Sequence, residues 1–184
     1  ARERRKYCGT VLGFIPQSPM TAFDPHMRIG AQMVQTFRLR LNLPKDKALT
    51  LAREQLLAVN LEDVERILNS FPSQLSGGML QRLMIAAALM CQPSLLVADE
   101  ATTAIDACNR IGLMRELKSF CKEGMSVLFV THDLRSASVS DRILVMDRGQ
   151  IVEQDTTERI LNAPKEDYTK YLLNACRLER RKMP

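Results

Sequence analysis

Two short apolar runs that end in charged or polar groups constrain the fold more than any other feature. LLVADE at 95–100 and SVLFVT at 126–131 are each long enough for one strand. Each lacks the in–out alternation of a half-solvated sheet, and helical spacing fills the residues between them. Strands of this kind, separated by a helix, predict a largely parallel α/β sheet covered on both faces. VLGFI at 11–15, RILVM at 142–146 and QIVEQ at 150–154 read as further strands, the first stopping at Pro16.

The rest is helical or loop. PQSPMTAFDP at 16–25 reads as a loop because of its three prolines, and from Ile29 the apolar period becomes helical. Ile29 to Leu41, Lys45 to Val59 and Val64 to Leu68 form a small helical subdomain over 28–72, broken at Asn42, Pro44 and Asn60. SerGlyGly at 76–78 opens a strongly apolar helix ending near Cys91. Helices are expected at 107–122, 134–138, 156–162 and 167–178. We therefore divide the chain into 1–27, 28–78 (the helical subdomain), 79–155 (an α/β core) and 156–184 (closing helices).

Composition excludes several classes. With 184 residues, 46% hydrophobic and 26% charged, the chain supports one cored domain and is not disordered. The longest clean apolar run, LMIAAALMC at 83–91, falls well short of the roughly 18–20 residues of a membrane span. ARERRK at 1–6 leads into Tyr7, Cys8 and Gly9, unlike a secretory signal, so a cytosolic location is expected. Cys8, Cys91, Cys108, Cys121 and Cys176 are odd in number and never spaced as CxxC, which predicts reduced thiols and no zinc site. The net charge of +5, concentrated at the two ends, permits an anionic partner without requiring one.

The chemistry collects where strands end. Asp99 and Glu100 lie at the carboxyl end of a buried strand, the edge at which open α/β sheets bind ligands. In phosphoryl transfer one such carboxylate holds Mg²⁺ and a second orients or deprotonates water. Both residues would equally serve to solvate the strand's exit. His132 follows the next strand, where it is either a satisfied loop residue or a group facing phosphate. The amides of Ser76, Gly77 and Gly78 would point from a helix amino terminus, where anions are favoured by ~0.3–1 kcal/mol, too little to hold a nucleotide.

PQ at 16–17, LSGGMLQR at 75–82, LLVADE at 95–100, TTAID at 102–106 and THD at 131–133, taken in that order, resemble the ATPase subunit of an ABC transporter. The resemblance covers most of the chain and implies a partial P-loop NTPase fold that uses ATP and Mg²⁺. Gln17 matches the Q-loop glutamine, a Mg²⁺ ligand that reports to the membrane subunit. Leu75, Ser76, Gly77, Gly78 and Met79 match the signature, whose Ser–Gly–Gly grips the γ-phosphate held by the opposite subunit. Asp99 matches the Mg²⁺ ligand, Glu100 the general base, Asp106 the D-loop aspartate and His132 the switch histidine.

The family's pattern is not complete here. Among the eight glycines none begins the GK[ST] of a phosphate loop, which the family places before the Q-loop and hence upstream of Ala1. Without that loop the chain is expected not to bind ATP in the usual way. Met79 replaces a common glutamine, Ala101 the usual proline and Ile105 the usual leucine.

SGGMLQR and GQIVEQ…NAPK…YLLNA are similar to importers of nickel and of di- or oligopeptides, with the nickel branch nearer. The implied partners are a second ABC ATPase subunit, transmembrane permease subunits and a separate solute-binding protein, at the cytoplasmic face of the inner membrane. Met20, Phe23, Met27, Met33 and Phe37 would line the permease groove unless they are core. Relatives acting on nucleic acid or ribosomes carry longer insertions than 28–72, so no direct nucleic-acid partner is expected. A non-catalytic interaction module is a further alternative.

Overall fold

A computed structural model describes residues 11–101, 107–121 and 124–182. Its strands are β1 (Leu12–Ile15), β2 (Leu95–Asp99), β3 (Ser126–Val130), β4 (Arg142–Asp147) and β5 (Gln150–Thr156). The first three form one parallel sheet in the order β1–β2–β3, with Phe14 beside Val97 and Val97 beside Leu128. β4 and β5 form a separate antiparallel ribbon. Arg148 and Gly149 both take positive φ between them, as the tightest right-twisting hairpin turn requires.

Helices α1 (Pro19–Ala22), α2 (Ile29–Leu41), α3 (Lys45–Ala58), α4 (Val64–Asn69) and α5 (Gly77–Leu89) precede β2. α6 (Ala107–Phe120) and α7 (Leu134–Ala137) flank β3, and α8 (Thr157–Asn162) and α9 (Asp167–Lys182) close the chain. The proline-rich stretch expected to be all loop holds α1, because Pro19 sits in a first turn that needs no amide there. Asn42 ends α2 in the left-handed conformation that a short polar side chain tolerates.

One face of the parallel sheet carries Ile15, Leu96 and Ala98, all fully buried. This face continues without a break into Phe37, Ala48, Leu56, Ile67 and Leu80 of the helical region, so helices and sheet share one core. α5 seals it. An added Cβ at Gly13 would lie 3.0 Å from the Ala88 carbonyl and 2.9 Å from Pro93, so only glycine lets strand and helix approach this closely. The expected cover on both faces holds for this one: on the other, Phe14, Leu128 and Val130 are 54%, 46% and 47% exposed.

The ribbon has its own small core of Ile143, Val145 and Ile160. A lysine of α6 ties it to the main core, and a hydroxyl closes the ribbon region on itself. Lys118 Nζ donates to the Asp141 carboxylate at 2.7 Å and to the Val139 carbonyl at 2.9 Å, and Thr157 Oγ1 donates to the Ser140 carbonyl at 2.7 Å. No described helix is long and apolar enough to cross a membrane.

Candidate functional site at the carboxyl edge of the parallel sheet

Three parallel strands end side by side, and together they deliver four polar side chains to the same edge. Gln17 follows β1 by two residues, Asp99 and Glu100 end β2, and His132 follows β3 by two. Gln17 Nε2 donates to Glu100 Oε2 at 2.7 Å, and His132 Nδ1 lies 2.8 Å from Glu100 Oε1. Both carboxylate oxygens are therefore engaged, by residues 83 and 32 positions away in the chain.

The backbone aims Glu100 at this cluster. Its φ is +45°, in the left-handed region that non-glycine residues rarely adopt. Its amide still donates to the Val130 carbonyl at 2.9 Å, so the ladder between β2 and β3 continues one residue past β2 while the side chain leaves the strand's alternation. Backbone strain of this kind concentrates at functional sites. Ala101, fully buried, anchors the next position.

The histidine is set by its neighbours. Thr131 Oγ1 accepts from the Asp133 amide at 3.0 Å, and Asp133 caps α7 by accepting from the Arg135 amide at 3.0 Å and from Ser136 Oγ at 2.9 Å. His132 is left between two pinned residues. A carboxylate only accepts, so the ring nitrogen facing it carries the proton and the imidazole is oriented by Glu100. With a side chain 73% exposed, His132 stays open to solvent and to a ligand, whereas Glu100 is 26% exposed.

The signature residues gather at the start of α5. Ser76 is the N-cap, and its hydroxyl accepts from the Met79 amide at 3.3 Å. Gly77 and Gly78 form the first turn, and an added Cβ at Gly78 would meet nothing within 4 Å. That turn is open to a partner's approach, as an anion grip needs. Leu75 is buried in the main core and Met79 packs against it, so these two hold the turn in place. Asp106, with the rest of 102–106, lies outside the described residues, as do Cys8 and the side chain of Cys108.

Asp99 and Gln17 offer a carboxylate and an amide oxygen at the same edge, a hard-donor pair. No cluster of three or more His, Cys, Asp or Glu able to hold a metal occurs among the described residues.

Two residues of the same stretch were not singled out from the sequence. Arg82 Nη1 donates to the Val59 carbonyl at 2.8 Å and lies 3.2 Å from Glu116 Oε2, tying α5 to α3 and α6. Gln81 is fully buried. A glutamine and an arginine inside an otherwise apolar helix were the available signal. The expected permease groove also changes: Met33 and Phe37 are core residues, Phe23 and Met27 are half-buried, and Met20 is exposed.

The sequence profile of the ABC transporter family matches residues 1–103, more than half of the chain. This chain belongs to the ABC transporter family. The glutathione import ATP-binding protein GsiA of Escherichia coli (strain K12) is 41% identical over 177 residues, which is 95% of this chain and 28% of that protein. Its counterpart in Shigella flexneri is 40% identical over the same length. The chain thus spans little more than a quarter of the curated relatives it matches.

Among solved structures, the ATP-binding cassette MJ0796, a dimer in a post-hydrolysis state with ADP and Pi, superposes with a TM-score of 0.74 at 28% identity. The match covers 85% of this chain and 67% of that one. A second dimeric structure of MJ0796, described as a bacterial ABC transporter cassette, gives 0.73 at 30% identity. The fold is the α/β ABC cassette fold with a parallel sheet and a helical region.

Proposed function

We propose that these residues are the signature, base and switch portion of an ATP-hydrolysing subunit that energises an ABC importer. The observation that carries this reading is the convergence of Gln17, Glu100 and His132 at one strand edge, with Asp99 beside them. Glu100 has the place of a general base, and it holds His132 in orientation. Asp99 and Gln17 would hold Mg²⁺, which when bound neutralises phosphate charge and fixes the phosphates in line for attack. Asp106 is assigned the D-loop role at the dimer interface.

The grip formed by Ser76, Gly77 and Gly78, open at Gly78, would meet the γ-phosphate on a second ABC ATPase subunit. Leu75 and Met79 position that grip. The phosphate loop would come from a segment outside these 184 residues. Permease subunits, a separate solute-binding protein and a peripheral place on the cytoplasmic face of the inner membrane complete the proposal. For the solute we favour a short peptide, because the relatives at 40–41% identity are named for import of glutathione, a tripeptide. Nickel is the second reading, supported by the MLQR and IVEQ…NAPK stretches.

The test compares Mg²⁺-dependent ATP hydrolysis by this chain and by a version extended upstream through a phosphate loop. Only the extended protein is expected to turn over ATP, and Glu100→Gln in it should lower the rate ~10²–10⁴-fold. An extended protein whose turnover survives Glu100→Gln sinks the assignment of the base. Turnover by the 184 residues alone sinks the account of the phosphate loop.

A further inference from the structure

Gln81 is the described side chain with two polar atoms sealed in the protein without a partner; Thr169 has one, its hydroxyl. Gln81 is 0% exposed, and neither Oε1 nor Nε2 makes a hydrogen bond. A primary amide gains nothing from such a place, since each unsatisfied polar atom forfeits its hydration. Leucine or methionine would fill the same space at no such cost.

Its position follows from helix and strand geometry. Gln81 and Ala88 are seven residues apart on α5, roughly two turns and about 10 Å along the same face. The Ala88 end of that face lies against Gly13, near the start of β1. α5 is the crossover between parallel β1 and β2, so it runs opposite to both. Moving back about 10 Å along α5 therefore moves forward about three residues along the β1 direction. Gln81 comes level with Pro16, Gln17 and Ser18. α1, which starts immediately after this loop, packs on α5 as well.

We propose that Gln81 is a positioning residue for the loop that carries Gln17. Its amide takes the main chain of that loop as partner, directly or through one buried water, when Gln17 leaves Glu100 for the metal. The proposal rests on the Mg²⁺–ATP reading above. In the arrangement described, Gln17 Nε2 is committed to Glu100 at 2.7 Å. Presenting the amide oxygen of Gln17 to Mg²⁺ requires the loop to turn, and turning displaces main-chain groups over α5. A buried amide that is unpaired in one arrangement and paired in the other biases the equilibrium toward the second. Gln81 thereby couples the signature helix to the base, acting through Gln17 without touching substrate.

The test uses the extended, phosphate-loop-bearing protein with Gln81→Leu and the unbranched Gln81→Met, each with and without Gln17→Ala. Both single variants should melt at or above the wild-type temperature, yet hydrolyse ATP roughly 3- to 30-fold more slowly, as coupling residues do. The Mg²⁺ concentration for half-maximal rate should rise, a shift that loss of packing alone does not produce. Added to Gln17→Ala, they should cause no further loss. Wild-type rates with unshifted Mg²⁺ dependence, losses that multiply with Gln17→Ala, or failure of both variants to fold would each overturn the proposal. A wild-type extended protein without hydrolysis removes the ATPase reading and this one together; an active wild type with unaffected Gln81 variants removes this one alone.

Discussion

The main core and the carboxyl-terminal ribbon solve the same problem on different scales. The first draws on β1, β2 and five helices around Phe37, Ile15, Leu56 and Leu80, all fully buried. The second has three buried residues, Ile143, Val145 and Ile160, and leans on polar links such as Lys118 to Asp141. Gln17, Ser76 and Glu100 all project from elements of the main core, whereas the ribbon contributes none of the candidate site residues. A site that must hold short hydrogen bonds between distant residues needs a close-packed support. A peripheral ribbon needs only enough burial to stay attached.

The contrast makes graded expectations. Phe37→Ala should produce the largest loss, about 3–5 kcal/mol, read as the shift in denaturant midpoint, because no neighbour can fill the void. Ile160→Ala should cost less, nearer ~2 kcal/mol, since half-buried Val152 and Leu172 can collapse inward. Hydrogen exchange should sharpen the comparison: the first variant loosens β1 and β2 amides, the second leaves them protected. Equal exchange profiles in the two variants would merge the two cores into one unit.

Gly30→Ala tests the close contact between α2 and α4. A Cβ there would lie 2.8 Å from the Leu68 carbonyl, so a loss of about 1–3 kcal/mol is expected despite the gain in helix propensity. In the ribbon, Asp155 accepts from the Thr156 amide at 2.8 Å. That backbone bond, and the nearby Arg159 charge, hold its carboxyl below the usual aspartate range. With the folded value depressed, its contribution is complete above the ordinary aspartate pKa and disappears as pH falls through the lower folded value. Asp155→Asn should therefore remove a small acid-side dependence of ribbon exchange rates and leave β1 and β2 unaffected. The smallest effect is expected from Leu128→Thr on the exposed sheet face, within about 0.5 kcal/mol. A larger loss there would mean that this face is covered.

Much of this architecture was legible because secondary structure follows local periodicity. The apolar runs at 95–99 and 126–130 became β2 and β3, and the helical spacing from Ile29 became α2. α1 was missed because prolines mark a first helical turn as readily as a loop. The exposure of Phe14, Leu128 and Val130 was not readable, since an apolar strand carries no record of what lies on either side. Gln81 was passed over as part of the LSGGMLQR stretch, because burial depends on which helix face meets the sheet.

The sequence by itself determined the elements, the order of their motifs and the types of chemical group at each strand end, because spacing and residue type are local properties. Only the tertiary structure decided that Gln17 and His132 meet on the two oxygens of Glu100, across separations of 83 and 32 residues. That meeting depends on the parallel register of three strands and on the left-handed turn at Glu100, and both are set by long-range packing.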